Sequence, residues 1–179
     1  MKSFKNHELF NEIKIYENIE ISDQRGLFRK PFFNLSENEN FKTVEEVIVT
    51  TTKKNYFRGL HFQLPPKDMD KMVTCIEGEI LDFFVDLRKS SNNYGKLGTY
   101  HLSEKKGESI LIPKGFAHGL TSLSEKSTIL YVQSEQYDLS YDSGVSIKSF
   151  PEQLENLGNL KLSEKDDNLP LLSNFSSPW

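Results

Sequence analysis

The feature that most restricts the fold of this chain is a succession of short segments rich in β-branched and aromatic residues, each closed by a turn signal. The segments are EIKIYE (12–17), EEVIVTTT (45–52), YFRGLHFQ (56–63), KMVTCI (71–76), EILDFFVDLR (79–88), GTYHL (98–102), ESILIP (108–113) and TILYVQS (128–134). Between them stand LPPKD, EG, SSNNYG, SEKKG and PKG, whose prolines, glycines and asparagines preset tight turns. Many short strands joined this way close into a β-sandwich or barrel. A chain of 179 residues supports one domain with a sizeable core, so the expectation is a single, mostly β domain over residues 1–179. Short helices are expected around SENENF (36–41) or SFPEQLENL (149–157), and LPLLSNFSSPW (169–179) reads as a tail packed by its apolar residues.

Charge and cysteine content exclude several classes. The 22 basic and 26 acidic residues are scattered and give a net charge of −4, so no basic stripe tracks a phosphate backbone and nucleic acid is not an expected partner. The single cysteine, Cys75, cannot form an internal disulfide. No apolar run approaches the ~20 residues of a membrane span, and MKSFKNHELF lacks a signal-peptide core. These features together predict a soluble protein of a reducing cytoplasm.

Candidate chemistry begins with Arg58 and His61, two polar residues in the otherwise apolar FRGLHF. A regular strand puts them on opposite faces, and Gly59 between them is the place where a bulge would bring them together. By itself His61 is equally a hydrogen-bonded core residue or a working imidazole. His118, in IPKGFAHGL, reads as a loop histidine, either satisfied locally or forming the wall of a site. Neither has a second histidine or a carboxylate two to five residues away, which disfavours metal. Nucleophile-elbow, phosphate-loop and dinucleotide motifs are absent, and Cys75 reads as a small buried hydrophobe. In EILDFFVDLR, Leu81, Phe83, Val85 and Leu87 form an apolar face, whereas Ile80, Asp82, Phe84 and Asp86 form a mixed face suited to a cavity. Tyr131 and Tyr137 read as packed aromatics and Asp166, in SEKDD, as a solvated charge.

Taken together, SDQRGLF, FRGLHFQLPP, DKMVTCIEGEILDFFVDLRKSS, YGK, ILIPKGFAHGL, ILYVQSEQY and LSEKD resemble the dTDP-4-dehydrorhamnose 3,5-epimerase family over residues 10 to 172. The resemblance implies a cupin-type jelly-roll barrel and a cofactor-independent epimerase of deoxysugar biosynthesis for surface polysaccharide. The family's substrates are nucleotide-diphosphate 4-keto-6-deoxyhexoses, inverted at C3 and C5. It also implies roles: His61 as base with Asp166 as its partner, Lys71 on the C4 oxygen, and Tyr131 as acid on the other face. Arg58 matches the diphosphate anchor, His118, Lys165 and Tyr137 match substrate-contacting positions, and Asp82 is paired with His118. Arg25 and Phe28 match residues that reach the nucleotide from a partner subunit, which implies a homodimer with shared sites. No metal or organic cofactor is implied.

The resemblance has departures. Lys30 stands where the rhamnose-pathway enzymes carry glutamate, and Glu46, Val47 and Ile48 stand where they carry Q-x-N, which opens the nucleotide to cytidine or guanosine as well as thymidine. Ser143 replaces an acidic residue, and GVSIKSF (144–150) replaces a Trp-Asn-Asp stretch. Inversion at C3, at C5 or at both stays open. The competing readings are a 3,4-ketoisomerase using one base and a cupin that only binds a sugar nucleotide.

Overall fold

The computed structural model describes residues 4–31, 41 and 43–179. Thirteen strands and two short helices are described: β1 (Phe4–Asn6), β2 (Lys14–Glu17), β3 (Ile19–Asp23), β4 (Gly26–Lys30), β5 (Glu46–Lys53), β6 (Phe57–Gln63), β7 (Lys71–Glu77), β8 (Glu79–Asp86), β9 (Leu97–Ser103), β10 (Glu108–Ile112), β11 (Phe116–Ser122), β12 (Lys126–Gln133), β13 (Asp142–Gly144), α1 (Pro151–Leu157) and α2 (Glu164–Asp167). They form a six-stranded sheet, β1-β2-β10-β7-β12-β5, a five-stranded sheet, β13-β6-β11-β8-β9, and a separate β3–β4 hairpin. Pairing within the sheets is antiparallel throughout. Among the described residues no helix is long and apolar enough to cross a membrane.

Two apolar clusters explain why these segments become strands. Val73, Ile110 and Ile129 from the six-stranded sheet meet Ile80, Phe84, Leu102 and Leu120 from the five-stranded sheet. The outer face of the five-stranded sheet, with Phe57, Phe83, Val85 and Leu87, is covered by α1 and by Leu172, Phe175 and Trp179. Each fully buried side chain of this size contributes roughly 2–3 kcal/mol of transfer free energy. The two faces read from EILDFFVDLR are thus both used, the apolar one under the closing segment and the mixed one between the sheets. SFPEQLENL does form a helix, with Pro151 at its first turn, whereas SENENF lies outside the described residues except for Phe41.

Two findings differ from the sequence reading. His118 is not in a loop: Pro113 and Gly115 turn the chain, and the residues after them form β11, which pairs with both β6 and β8. That strand is buried at every position, so it shows no alternation to read. The β3–β4 hairpin escaped because it is mostly exposed and polar. The Gly59 bulge, by contrast, is present. His61 pairs with His118 and Arg58 with Leu120, so the three-residue step from Arg58 to His61 on β6 opposes a two-residue step on β11. Gly59 sits there at φ +136°.

Candidate active site

The sheets part at one end around a cavity of about 720 Å³. Its walls come from β6 and β11 on one side and from β5, β7 and β12 on the other, with α2 and residues 137–142 at the rim. His61, Lys71, Tyr131, Asp166, Arg58, His118, Tyr137 and Lys165 all line it. The bulge at Gly59 is what lets Arg58 and His61 share one space.

The His61 Nε2 lies 2.6 Å from Asp166 Oδ1, with side-chain exposures of 30% and 4%. Asp166 is placed by its own turn: the Ser163 hydroxyl caps α2 and accepts from the Asp166 N–H at 3.1 Å. Its second oxygen accepts from the bulged Gly59 N–H at 3.4 Å. The expectation of a solvated charge therefore fails for Asp166 alone, while Glu164, Lys165 and Asp167 around it are exposed. Burial pushes the Asp166 carboxyl up. The His61 hydrogen bond and charge, with Gly59 and Ser163, outweigh this and hold it below the usual carboxylate range.

Lys71 opens β7 and is half-buried. Burial lowers its ammonium to about 8, while Asp142 and Asp82 oppose a further fall. On the opposite sheet from His61, Tyr131 is raised well above the usual phenol range by burial, reinforced by the charge of Asp82. Its ring meets that of His118 edge-on, with centroids 6.0 Å apart. His118 Nε2 lies 2.5 Å from Asp82 Oδ1, both side chains being buried. Asp82 Oδ2 has no partner among the described residues.

At the mouth, Arg58 donates from Nε to Thr52 Oγ1 at 2.9 Å and from Nη2 to the Thr51 carbonyl at 3.1 Å, which fixes an exposed guanidinium over the cavity. Lys165 forms an ion pair with Asp142, which also accepts from the Tyr137 hydroxyl at 3.1 Å. Asp142 was missed in the sequence because nothing in SYDSG marks it. Gln63 was missed too, although it lies two residues beyond His61. It donates to the carbonyls of Lys67 and Gln136 and accepts from the Asp138 N–H, which fixes the segment carrying Tyr137.

Arg25 and Phe28 are not brought to this cavity. Both sit on the exposed β3–β4 hairpin, where Arg25 pairs with Asp23. Lys30 ends the same hairpin. Of the other divergent positions, Ile48 lines the cavity, Val47 is exposed and Glu46 accepts from the Tyr137 N–H. Among the described residues no three His, Cys, Asp or Glu side chains gather as metal ligands.

The family model described as dTDP-4-dehydrorhamnose 3,5-epimerase matches residues 8–174. This chain belongs to that family. The dTDP-4-dehydrorhamnose 3,5-epimerase of Methanothermobacter thermautotrophicus is 38% identical over 154 residues, covering 82% of each chain. Among solved structures, the Bacillus anthracis enzyme with TDP and PPi bound has a TM-score of 0.85 at 30% identity, covering 96% of this chain and 100% of its own. The Legionella pneumophila enzyme in complex with dTDP-4-keto-L-rhamnose has a TM-score of 0.88 at 27% identity, covering 98% and 95%. As a dTDP-4-dehydrorhamnose 3,5-epimerase family member, the protein is an isomerase of deoxysugar biosynthesis on a cupin-type β scaffold.

Proposed function

We propose that this epimerase inverts C3, C5 or both in a nucleotide-diphosphate 4-keto-6-deoxyhexose, with proton-transfer groups on opposite walls of the cavity. The observation that carries the reading is the placement of His61 on β6 of one sheet and Tyr131 on β12 of the other, around one space. Asp166 engages His61 Nε2, so Nδ1 is the atom left to accept a proton from a carbon beside the ketone. The electron pair of the broken C–H bond moves onto the C4 oxygen, where the Lys71 ammonium stabilises the enolate. Tyr131 then donates its proton to the other face of the carbon, and the centre inverts. Tyr131 suits this role because its hydroxyl stays protonated at neutral pH. The ligands held by the Bacillus and Legionella relatives support a nucleotide sugar in this cavity, with Arg58 on its diphosphate. His118, Tyr137 and Lys165 would contact the rest of the substrate.

The reading includes a homodimer. The edge strand β5 exposes Val47 and Val49, and the hairpin exposes Ile21, Leu27 and Phe28, an apolar set suited to a second copy. Arg25 and Phe28 would then complete the partner's nucleotide site. A cytoplasmic location fits the single free, buried Cys75.

The test is incubation with dTDP-, CDP- and GDP-linked 4-keto-6-deoxyhexoses in deuterated water, with deuterium at C3 and C5 read by NMR. Exchange with inversion is expected in the native protein, and exchange without inversion in Tyr131→Phe. Absence of exchange at both carbons with every nucleotide sinks the proposal.

A further inference from the structure

We propose that Trp179 is a positioning residue for Lys71: its indole backs the walls of the gap behind the lysine and holds the 64–70 turn that leads into β7. The activity readout below rests on the role given to Lys71 above, whereas the brace itself rests on packing.

Lys71 faces two spaces. In front is the active-site cavity, and behind is a gap of about 10 Å³, at the lower limit for a single water, walled in part by Phe62, Asp68, Met69 and Gly115. Three of those walls lean on one indole. The Trp179 Nε1–H donates to Asp68 Oδ2 at 2.9 Å. The ring meets Phe62, the neighbour of His61, edge-on at 5.5 Å. A Cβ placed on Gly115 would lie 3.7 Å from Trp179 Cγ.

The indole is itself fastened. The Trp179 backbone oxygen accepts from the Lys89 N–H at 3.0 Å, and the Trp179 backbone N–H donates to Ser177 Oγ at 3.2 Å. The buried Ser177 hydroxyl donates in turn to the Leu87 carbonyl at 2.5 Å. Trp179 therefore ties the end of β8 to the turn between the base-bearing strand and the lysine-bearing strand. Without it, the walls of the rear gap lose their backing, the gap widens and more water reaches the lysine from that side.

The low ammonium value of Lys71, about 8, owes most to burial, so hydration from behind raises it. The charges acting on it are Asp142 on β13 and Asp82 on β8. In the front cavity it shares space with Tyr131, His118 and the His61–Asp166 pair, and at the rear gap with Asp68 and Lys114. Of these groups only Asp68 bonds Trp179, so a substitution there removes one hydrogen bond from Asp68 and leaves the other groups in place.

The experiment is competitive trace acylation of the unliganded protein, with each lysine quantified by mass spectrometry between about pH 6 and 11. Native protein, Trp179→Phe, Trp179→Ala and Asp68→Ala are compared, and melting curves confirm that each folds. In Trp179→Ala, Lys71 is expected to titrate about one unit higher or more, and in Trp179→Phe close to the native value. The alkaline limb of the epimerase rate moves with it. An unshifted Lys71 in folded Trp179→Ala overturns the proposal. If Trp179→Ala does not fold, Asp68→Ala decides: a rise supports the brace and no rise overturns it. Acylation needs no turnover, so a protein that lacks epimerase activity but shows the Lys71 shift refutes the catalytic reading and keeps the brace.

Discussion

Replacing Gly59 by alanine tests whether the bulge organises the site. At φ +136° an L side chain is strained, which costs roughly 1–3 kcal/mol. The new Cβ would also lie 2.5 Å from Gly119 Cα and 2.9 Å from the His118 carbonyl oxygen, both backbone atoms of the paired strand. No side chain can swing aside, so overpacking adds about 1–3 kcal/mol. The sum, roughly 2–6 kcal/mol, is a large part of the 5–15 kcal/mol typical of a whole domain. Any relaxation must shift β6 against β11, moving the Gly59 N–H off Asp166 and re-aiming Arg58 or His61. Urea unfolding and kcat/KM are measured for Gly59→Ala beside Gly158→Ala, a control with φ +69° and nothing within 4 Å of its Cβ. The control separates dihedral strain from overlap and is expected to lose about 1 kcal/mol. Should Gly59→Ala match the control in stability and the native protein in activity, the bulge is not what assembles the site.

Three further outcomes are expected. Asp166→Asn removes the charge that supports an imidazolium at His61 and lowers kcat by roughly 10²- to 10⁴-fold, by analogy with catalytic triads. The native carboxyl of Asp166 sits below its unfolded value, so its stabilisation is present above about pH 4 and is lost as pH falls through the folded value; the asparagine variant lacks that acid dependence in urea titrations. For Lys71, burial lowers the folded ammonium to about 8 against ~10.4 in the unfolded chain, so the unfolded chain holds more protons between them and stability rises with pH across that window. Lys71→Met removes this rise, gains about 2–3 kcal/mol at pH 7 and loses activity; a methionine variant less stable than the native protein at pH 7 refutes the account. Val49→Lys, on the exposed edge strand, is expected to give a monomer by sedimentation with a weakened nucleotide site, and an unchanged assembly removes β5 from the interface.

How much of this was legible varied with the kind of signal. Strands such as β5 and β12 bury one face more than the other and announce themselves by alternation. β11 is buried on both faces and lacks that mark, so His118 read as a loop residue. Gly59 flagged the bulge because a glycine between two polar residues in a strand has few other uses. Asp166 was illegible locally. Only the cap at Ser163 distinguishes it from its acidic neighbours, and its partner lies 105 residues away in the chain. Asp142 and Gln63 act through partners 23 and 75 residues away, which spacing cannot reveal. The family resemblance supplied His61, Lys71, Tyr131 and Asp166 as a set; residue type alone left His61 undecided.

Two histidine–carboxylate pairs of the five-stranded sheet place their histidine in the cavity wall, and geometry separates their roles in the proposed mechanism. A base must touch the carbon it deprotonates, and His61 is 30% exposed to the cavity whereas His118 is 6% exposed. A carboxylate that serves its histidine has its oxygens engaged. Asp166 spends one on His61 and the other on Gly59, but Asp82 spends one on His118 and leaves the other buried without a partner. A buried carboxylate oxygen without a partner is costly and calls for an explanation. The Asp82 charge adds to burial in raising the Tyr131 hydroxyl and, after Asp142, opposes the lowering of the Lys71 ammonium by burial. Both contributions favour the protonated forms that the acid and the enolate stabiliser need. The His118–Asp82 pair therefore serves as a wall whose charge favours the protonated forms of the two groups opposite the base.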